Sequence, residues 1–142
     1  MNKDQPYYKI LDHTADLGIQ VFGKGINALF ENAALALTDI MVLGRTMGPA
    51  ENITLALEAQ DLDDLMVAWL GEVLYLFSAK NKILNTVHIQ DVSGTRLEAV
   101  LGMAPFNPTC HEILCEIKAV TYHRITVREN KGHWEARIIL DL

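Results

Sequence analysis

The sequence has little of what an exported, membrane-bound or nucleic-acid-coating protein needs. Its only two cysteines, Cys110 and Cys115, have a spacing that a disulfide could bridge, but in an unexported chain they read as reduced thiols. The polar start Met1-Asn2-Lys3-Asp4-Gln5 has no apolar segment behind it, and no uninterrupted apolar run approaches the ~18 residues that cross a bilayer. A soluble, cytoplasmic protein with no membrane attachment is the expectation. Positive charge is also short. Twelve Lys and Arg against 18 Asp and Glu leave a formal charge of -6, which disfavours strong direct binding of nucleic acid through counterion release. A small basic pocket stays compatible with that balance, since net charge describes the far field and not each cleft. Several catalytic signatures are missing too. There is no Gly-x-Ser-x-Gly, no Walker loop and no dinucleotide fingerprint, and Gly23-Lys24-Gly25 is too short to cradle a phosphate. Cys110, His111 and Cys115 lack the paired short spacing of a zinc site. A self-sufficient enzyme is poorly supported, and no residue is assigned as catalytic.

What is present is a chain of 142 residues, half of them apolar, long enough to bury one core as a single domain over 1–142. Tyr7 to Leu11 is β-prone. Leu17, Ile19 and Val21 alternate with Gly18 and Gln20, which predicts a strand with Leu17, Ile19 and Val21 on one face and Asp16, Gly18 and Gln20 on the wet one. From Ile26 the period changes: Ile26, Leu29, Phe30, Ala33, Leu37, Ile40 and Met41 predict an amphipathic helix, closed by Gly44 and Met47-Gly48-Pro49. Asn52 to Ala59 alternates as a strand with one buried face. Asp61 then reads as the N-cap of a second helix, with Asp63 and Asp64 in its first turn and an apolar stripe through Leu62, Leu65, Met66, Trp69, Leu70, Val73 and Phe77. Strands follow around Val87–Asp91 and Leu97–Leu101, joined by a Ser93-Gly94 turn. Gly102 to Cys110 reads as a loop and Leu114 to Arg128 as largely extended. Asn130-Lys131-Gly132 turns into a last strand with Trp134, Ala136, Ile138 and Leu140 on one face and Glu135, Arg137, Ile139 and Asp141 on the other. Two helices against one mostly antiparallel sheet is an α+β fold.

Polar chemistry concentrates in three places. Asp12-His13-Thr14-Ala15-Asp16 puts two carboxylates and an imidazole in five residues. If the first and last strands lie close in one sheet, Asp16 and Asp141 converge, joined by the carbonyl and carboxylate of Leu142. Such oxygens suit a hard cation, Ca²⁺ or Mg²⁺, rather than zinc or copper, and three are few for Ca²⁺, so waters or a partner would complete the shell. The alternative is that Asp16 satisfies backbone donors in a turn and Asp141 is an ordinary exposed residue. His13, beside Asp12 and Asp16, has the setting of a carboxylate-tuned general base, but a histidine holding a turn by hydrogen bonds is the commoner arrangement. Lys118-Ala119-Val120-Thr121-Tyr122-His123 is the third place. An extended segment would put Lys118, Tyr122 and Arg124 on one face, with Thr121 and His123 on the other.

Taken in order, the Asp12–Asp16 motif, Ala28-Leu29-Phe30-Glu31-Asn32-Ala33-Ala34, the Asp61-Leu62 helix with Trp69-Leu70-Gly71-Glu72-Val73-Leu74-Tyr75, Glu116-Ile117-Lys118-Ala119-Val120-Thr121-Tyr122-His123 and the terminal Asp141-Leu142 resemble the archease family over nearly the whole chain. The resemblance implies a non-enzymatic α+β protein that activates an RtcB-type RNA ligase. That ligase joins a 2',3'-cyclic phosphate or 3'-phosphate RNA end to a 5'-hydroxyl end in tRNA splicing and RNA repair, using GTP and Mn²⁺ through a guanylylated histidine of its own. The implied effect is faster guanylylation and multiple turnover; a chaperone-like action on a tRNA methyltransferase is also attributed to the family. The resemblance further implies a divalent cation, Ca²⁺ with Mg²⁺ or Mn²⁺ as alternatives, on Asp16, Asp141 and the Leu142 carbonyl. Asp12, His13, Lys118, Tyr122 and His123 are candidate supporting or partner-contact residues. Gly25 stands where many relatives place Ser or Thr, which weakens the first helix cap. A stand-alone metal-dependent phosphoesterase with His13 as base is the rival expectation.

Overall fold

The computed structural model describes residues 7–11, 16–44 and 50–142. The Met47-Gly48-Pro49 turn expected after the first helix, and Asp12 and His13, lie outside the described residues.

Strand β1 (Tyr8–Leu11) runs antiparallel to β2 (Leu17–Gly23), and β2 is followed by helix α1 (Ile26–Met41). The helix begins where the alternating pattern stops. Gly23 is what lets it start so close: a Cβ there would stand 2.5 Å from the Leu29 backbone nitrogen. Gly25 is the N-cap and, as its missing side chain requires, makes no capping hydrogen bond. The buried face of α1 is alanine-rich, with Ala33, Ala34 and Ala36 beside Leu29, Phe30 and Leu37, so the helix packs close to its neighbours. It ends directly in a two-residue strand, β3 (Val42–Leu43).

After β4 (Glu51–Glu58), helix α2 (Leu62–Ser78) opens on an Asp61 cap that accepts the Asp64 N–H, with Asp63 and Asp64 in its first turn. These acids face the positive end of the helix dipole. Trp69 locks the two helices together: its ring is fully buried and its Nε1–H donates to the Phe30 carbonyl at 2.8 Å.

Strand β5 (Lys82–Val92) and β6 (Arg96–Pro105) form a hairpin, and β6 also pairs with β4, giving a three-stranded antiparallel sheet. Two short strands, β7 (Glu112–Ile113) and β8 (Ala119–Val120), precede β9 (Thr126–Asn130) and β10 (His133–Asp141). β10 lies between β2 on one side and both β8 and β9 on the other, in a five-stranded sheet, while β3 and β7 form a separate two-stranded piece. α1 packs on β2 and β5, α2 on β4, β5, β8 and β9. The helices therefore join two sheets around one core that includes Ile19, Val21, Ile138 and Leu140 from one sheet and Ile89, Leu97, Leu101 and Met103 from the other.

The α+β class stands, with three sheets where one was expected. The break falls at β5, which carries two register irregularities and whose Ile89 N–H donates to the Glu31 carboxylate of α1 at 2.8 Å instead of to a further strand. Gly102–Pro105 is strand, not loop, because β5 pairs with it as far as Pro105 and β4 as far as Met103, which is fully buried. The segment expected to be extended from Leu114 to Arg128 is broken by a turn between β8 and β9, where Arg124 has a φ of 54°. Lys118, Tyr122 and Arg124 consequently do not share a strand face. The outer face of β2 is polar in sequence but not wet: Gly18 and Gln20 are buried. Gln20 lies between Lys9 and Arg137 in the sheet register, and its amide donates to Glu135 at 3.4 Å.

Candidate functional site: the ends of the first and last long strands

The central antiparallel pair decides where the acids go. β2 and β10 are in register from Gly23 opposite Trp134 down to Leu17 opposite Leu140. One step beyond that last pair come Asp16, half-buried, and Asp141, exposed. Two acidic residues thus stand at one end of neighbouring strands. The backbone of Asp141 is held from its other side by β8: Asp141 is opposite Ala119, and its carbonyl accepts the Lys118 N–H at 2.7 Å. Leu142 follows, 43% exposed.

Two carboxylates and a carbonyl are hard oxygen donors, and they fit a hard divalent cation held in part by water or by a partner's groups. Among the described residues no group of three or more His, Cys, Asp or Glu side chains is placed to hold a metal ion, so Asp16 and Asp141 would need oxygens from outside that set. Asp12 and His13 lie outside the described residues.

The neighbouring turn is built from α2. Tyr122 is 63% exposed, yet its hydroxyl donates to Asp64 Oδ1 at 2.9 Å. Asp64 Oδ2 accepts the Gln60 N–H at 3.0 Å, and Asp63 accepts the Val127 N–H at 2.9 Å. The Gln60 N–H first, and the Tyr122 hydroxyl second, hold the Asp64 carboxyl below its usual range. The bond to Asp64, more than burial, pushes the Tyr122 phenol up. Thr121 gives both its N–H and its hydroxyl to the Ile139 carbonyl, each at 3.0 Å. Lys118 and His123 are exposed beside these contacts. Asp63 and Asp64 were legible in sequence only as helix-start acids. The signal for more was their number: a cap needs one acid, and this turn has three.

A shallow cleft of about 450 Å³ lined by Gln60, Asp61, Leu62, Asp63, Gly94, Thr95 and Val127 lies at the start of α2, and neither Asp16 nor Asp141 lines it. No helix among the described residues is long and apolar enough to cross a membrane.

The fold defines a small α+β protein with two acidic residues, Asp16 and Asp141, at one end of its central strand pair. The chain belongs to the archease family: the model of the Archease protein family (MTH1598/TM1083) matches residues 8–142. It is similar to the protein archease of Thermococcus kodakarensis, 32% identical over 135 residues with 92% of this chain and 95% of that one covered. It is 29% identical over 139 residues to the protein archease of Methanosarcina mazei, covering 95% of each. The solution structure of Methanobacterium thermoautotrophicum protein 1598 is matched with a TM-score of 0.77 at 28% identity, over 96% of this chain and 99% of that one. A crystal structure from Thermotoga maritima, described as that of an archease and possible chaperone, shares the fold with a TM-score of 0.62 at 18% identity, over 94% and 96% of the two chains.

Proposed function

We propose that this chain is a non-enzymatic protein cofactor of an RtcB-type RNA ligase, promoting its GTP-dependent guanylylation and multiple turnover in tRNA splicing and RNA repair. The observation that carries the proposal is the β2–β10 register, which brings Asp16 and Asp141 to one end of the sheet. Family membership supports it as well. In this reading Asp16, Asp141 and the Leu142 carbonyl hold one side of a divalent cation, Ca²⁺ or in its place Mg²⁺ or Mn²⁺, and the ligase's nucleotide pocket supplies the other side. A bound cation offsets charge on phosphate oxygens during the transfer. The chain's own residues contribute position: a fixed carboxylate pair brings the ion to the triphosphate already oriented, an effect that is worth several kcal/mol in well-aligned cases. Lys118, Tyr122 and His123, and Asp12 and His13 by their place in the sequence, are the candidate support or partner contacts, and the acidic surface suits a partner whose RNA cleft is basic.

The test is ligation at substoichiometric ligase with parent, Asp16→Ala and Asp141→Ala. Loss of stimulation by either folded variant is expected, and full stimulation by both sinks the proposal.

A second reading is chaperone-like, for which a tRNA methyltransferase is the candidate client. Leu43, Ile113 and Leu114, each more than half exposed in or next to the β3–β7 pair, favour it. The description of the Thermotoga maritima protein as a possible chaperone points the same way. It requires these apolar side chains and leaves the carboxylates dispensable. The phosphoesterase alternative requires turnover of generic phosphodiesters that is lost in His13→Ala.

A further inference from the structure

We propose that the Tyr122–Asp64 hydrogen bond is a positioning tether for the acid pair: by fixing the 121–125 turn on α2 it keeps β8 against the end of β10, and so sets the affinity of Asp16 and Asp141 for a divalent cation. The inference rests on the cation reading above and adds to it two residues that do not touch the ion.

The weak link in the acid pair is the backbone of Asp141. It is the last residue of β10, and beyond Leu17 no strand pairing with β2 holds it. Its remaining neighbour, β8, is two residues long and is paired with β10 only at Val120–Leu140 and Ala119–Asp141. Strands this short fray unless something else holds them. The hydrogen bonds that extend the pairing, Lys118 N–H to the Asp141 carbonyl and the two from Thr121 to the Ile139 carbonyl, depend on the segment staying in place. Downstream the chain enters a turn with Arg124 in the left-handed region and a long Ile125 N–H to Tyr122 carbonyl contact of 3.4 Å. Within the turn the His123 N–H also reaches Thr121 Oγ1 at 3.3 Å, so its own hydrogen bonds are long ones.

Ile117, Val120 and Ile125 pack the segment on the core, and Tyr122 adds a directional anchor to that apolar contact. With 63% of the residue exposed, its ring contributes little to the core, so its one directional contact is the hydroxyl on Asp64. Asp64 is a firm post because both its side chain and its N–H are engaged in the first turn of α2, the latter at 2.8 Å from Asp61 Oδ1. Asp63 holds the first part of β9 from the same turn. Without the tether, β8 and Asp141 would have to be ordered when the cation binds, and that ordering subtracts from affinity.

The molecule contains its own control. Tyr8 makes the same kind of bond, to Asp39 of α1, but Tyr8 sits opposite Val21, toward the other end of β2 from Asp16. Calorimetric titration with Ca²⁺ and amide hydrogen exchange are measured on the full chain and on Tyr122→Phe, Tyr8→Phe and Asp141→Asn. Tyr122→Phe is expected to weaken Ca²⁺ binding about fivefold, the scale of one net hydrogen bond, and to lower protection of the Lys118 and Thr121 amides. Tyr8→Phe is expected to lower Tm and leave both readouts unchanged. If Asp141→Asn abolishes binding while Tyr122→Phe binds like the parent, the tether is overturned and the cation reading survives. If the parent binds no Ca²⁺, or Asp141→Asn binds as well as the parent, the cation reading has failed instead. The tether is then decided by exchange: unchanged protection at Lys118 and Thr121 in Tyr122→Phe overturns it.

Discussion

Asp64 and Tyr122 move each other's proton affinity in opposite directions, and this gives their bond a defined pH range. The folded protein lowers the Asp64 pKa from its usual 3.8, through the Gln60 N–H first and the Tyr122 hydroxyl second. Its contribution to stability is therefore full above that value and fades as pH falls through the lower folded one. The phenol of Tyr122 is raised from its usual 10.0, chiefly by Asp64, so its contribution is full below 10.0 and fades as pH rises through the higher folded value. The Tm difference between parent and Tyr122→Phe should thus be constant from pH 5 to 9 and shrink below about pH 4. Thermal melts across that range check it, and a difference that varies between pH 5 and 9 counts against it. At this scale the sequence spoke unevenly. The faces of Leu17–Val21 and of Trp134–Asp141 placed Asp16 and Asp141 on matching sides, because strand alternation is local. The partnership of Tyr122 with Asp64 spans 58 residues and leaves no local trace. Gly44 is similar: its φ of 122° and the 2.2 Å approach of a Cβ to the Cys110 carbonyl come from a neighbour far along the chain.

The two helices show how far pattern reaches at the level of elements. Both were legible because three-four periodicity persists over 16 and 17 residues. Their starts differ in a way that can be measured. Asp61 accepts the Asp64 N–H, whereas Gly25 accepts nothing through a side chain. Asp61→Ala should cost about 1 kcal/mol, and Gly25→Ser should gain a few tenths, since Gly25 has an extended φ of -142° and open space around a new Cβ. Urea unfolding of the two variants tests both signs; a stabilised Asp61→Ala would contradict the cap. The hairpin turn at Asn130-Lys131-Gly132 was equally legible, and Lys131 and Gly132 have the positive φ values such a turn requires. β3, β7 and β8 were not. Two residues carry no period, and these strands exist only because a partner strand happens to lie alongside.

For the whole molecule, the α+β class followed from segregated helical and alternating segments, while the division into three sheets did not, because it depends on which strand edges meet. A cation that binds the folded chain and not the unfolded one stabilises the entire domain. At a hundredfold excess over its Kd, Ca²⁺ should add about 2.7 kcal/mol, a rise of several degrees in Tm that chelator reverses and Asp141→Asn lacks. An equal rise in parent and Asp141→Asn would place the ion elsewhere. The meeting of α1 with β5 carries one more consequence. A strand at the rim of a sheet invites the rim of another molecule, and a row of free amides is the invitation. By spending the Glu31 carboxylate on the Ile89 amide, the fold puts a negative charge where a second copy would have to zip on.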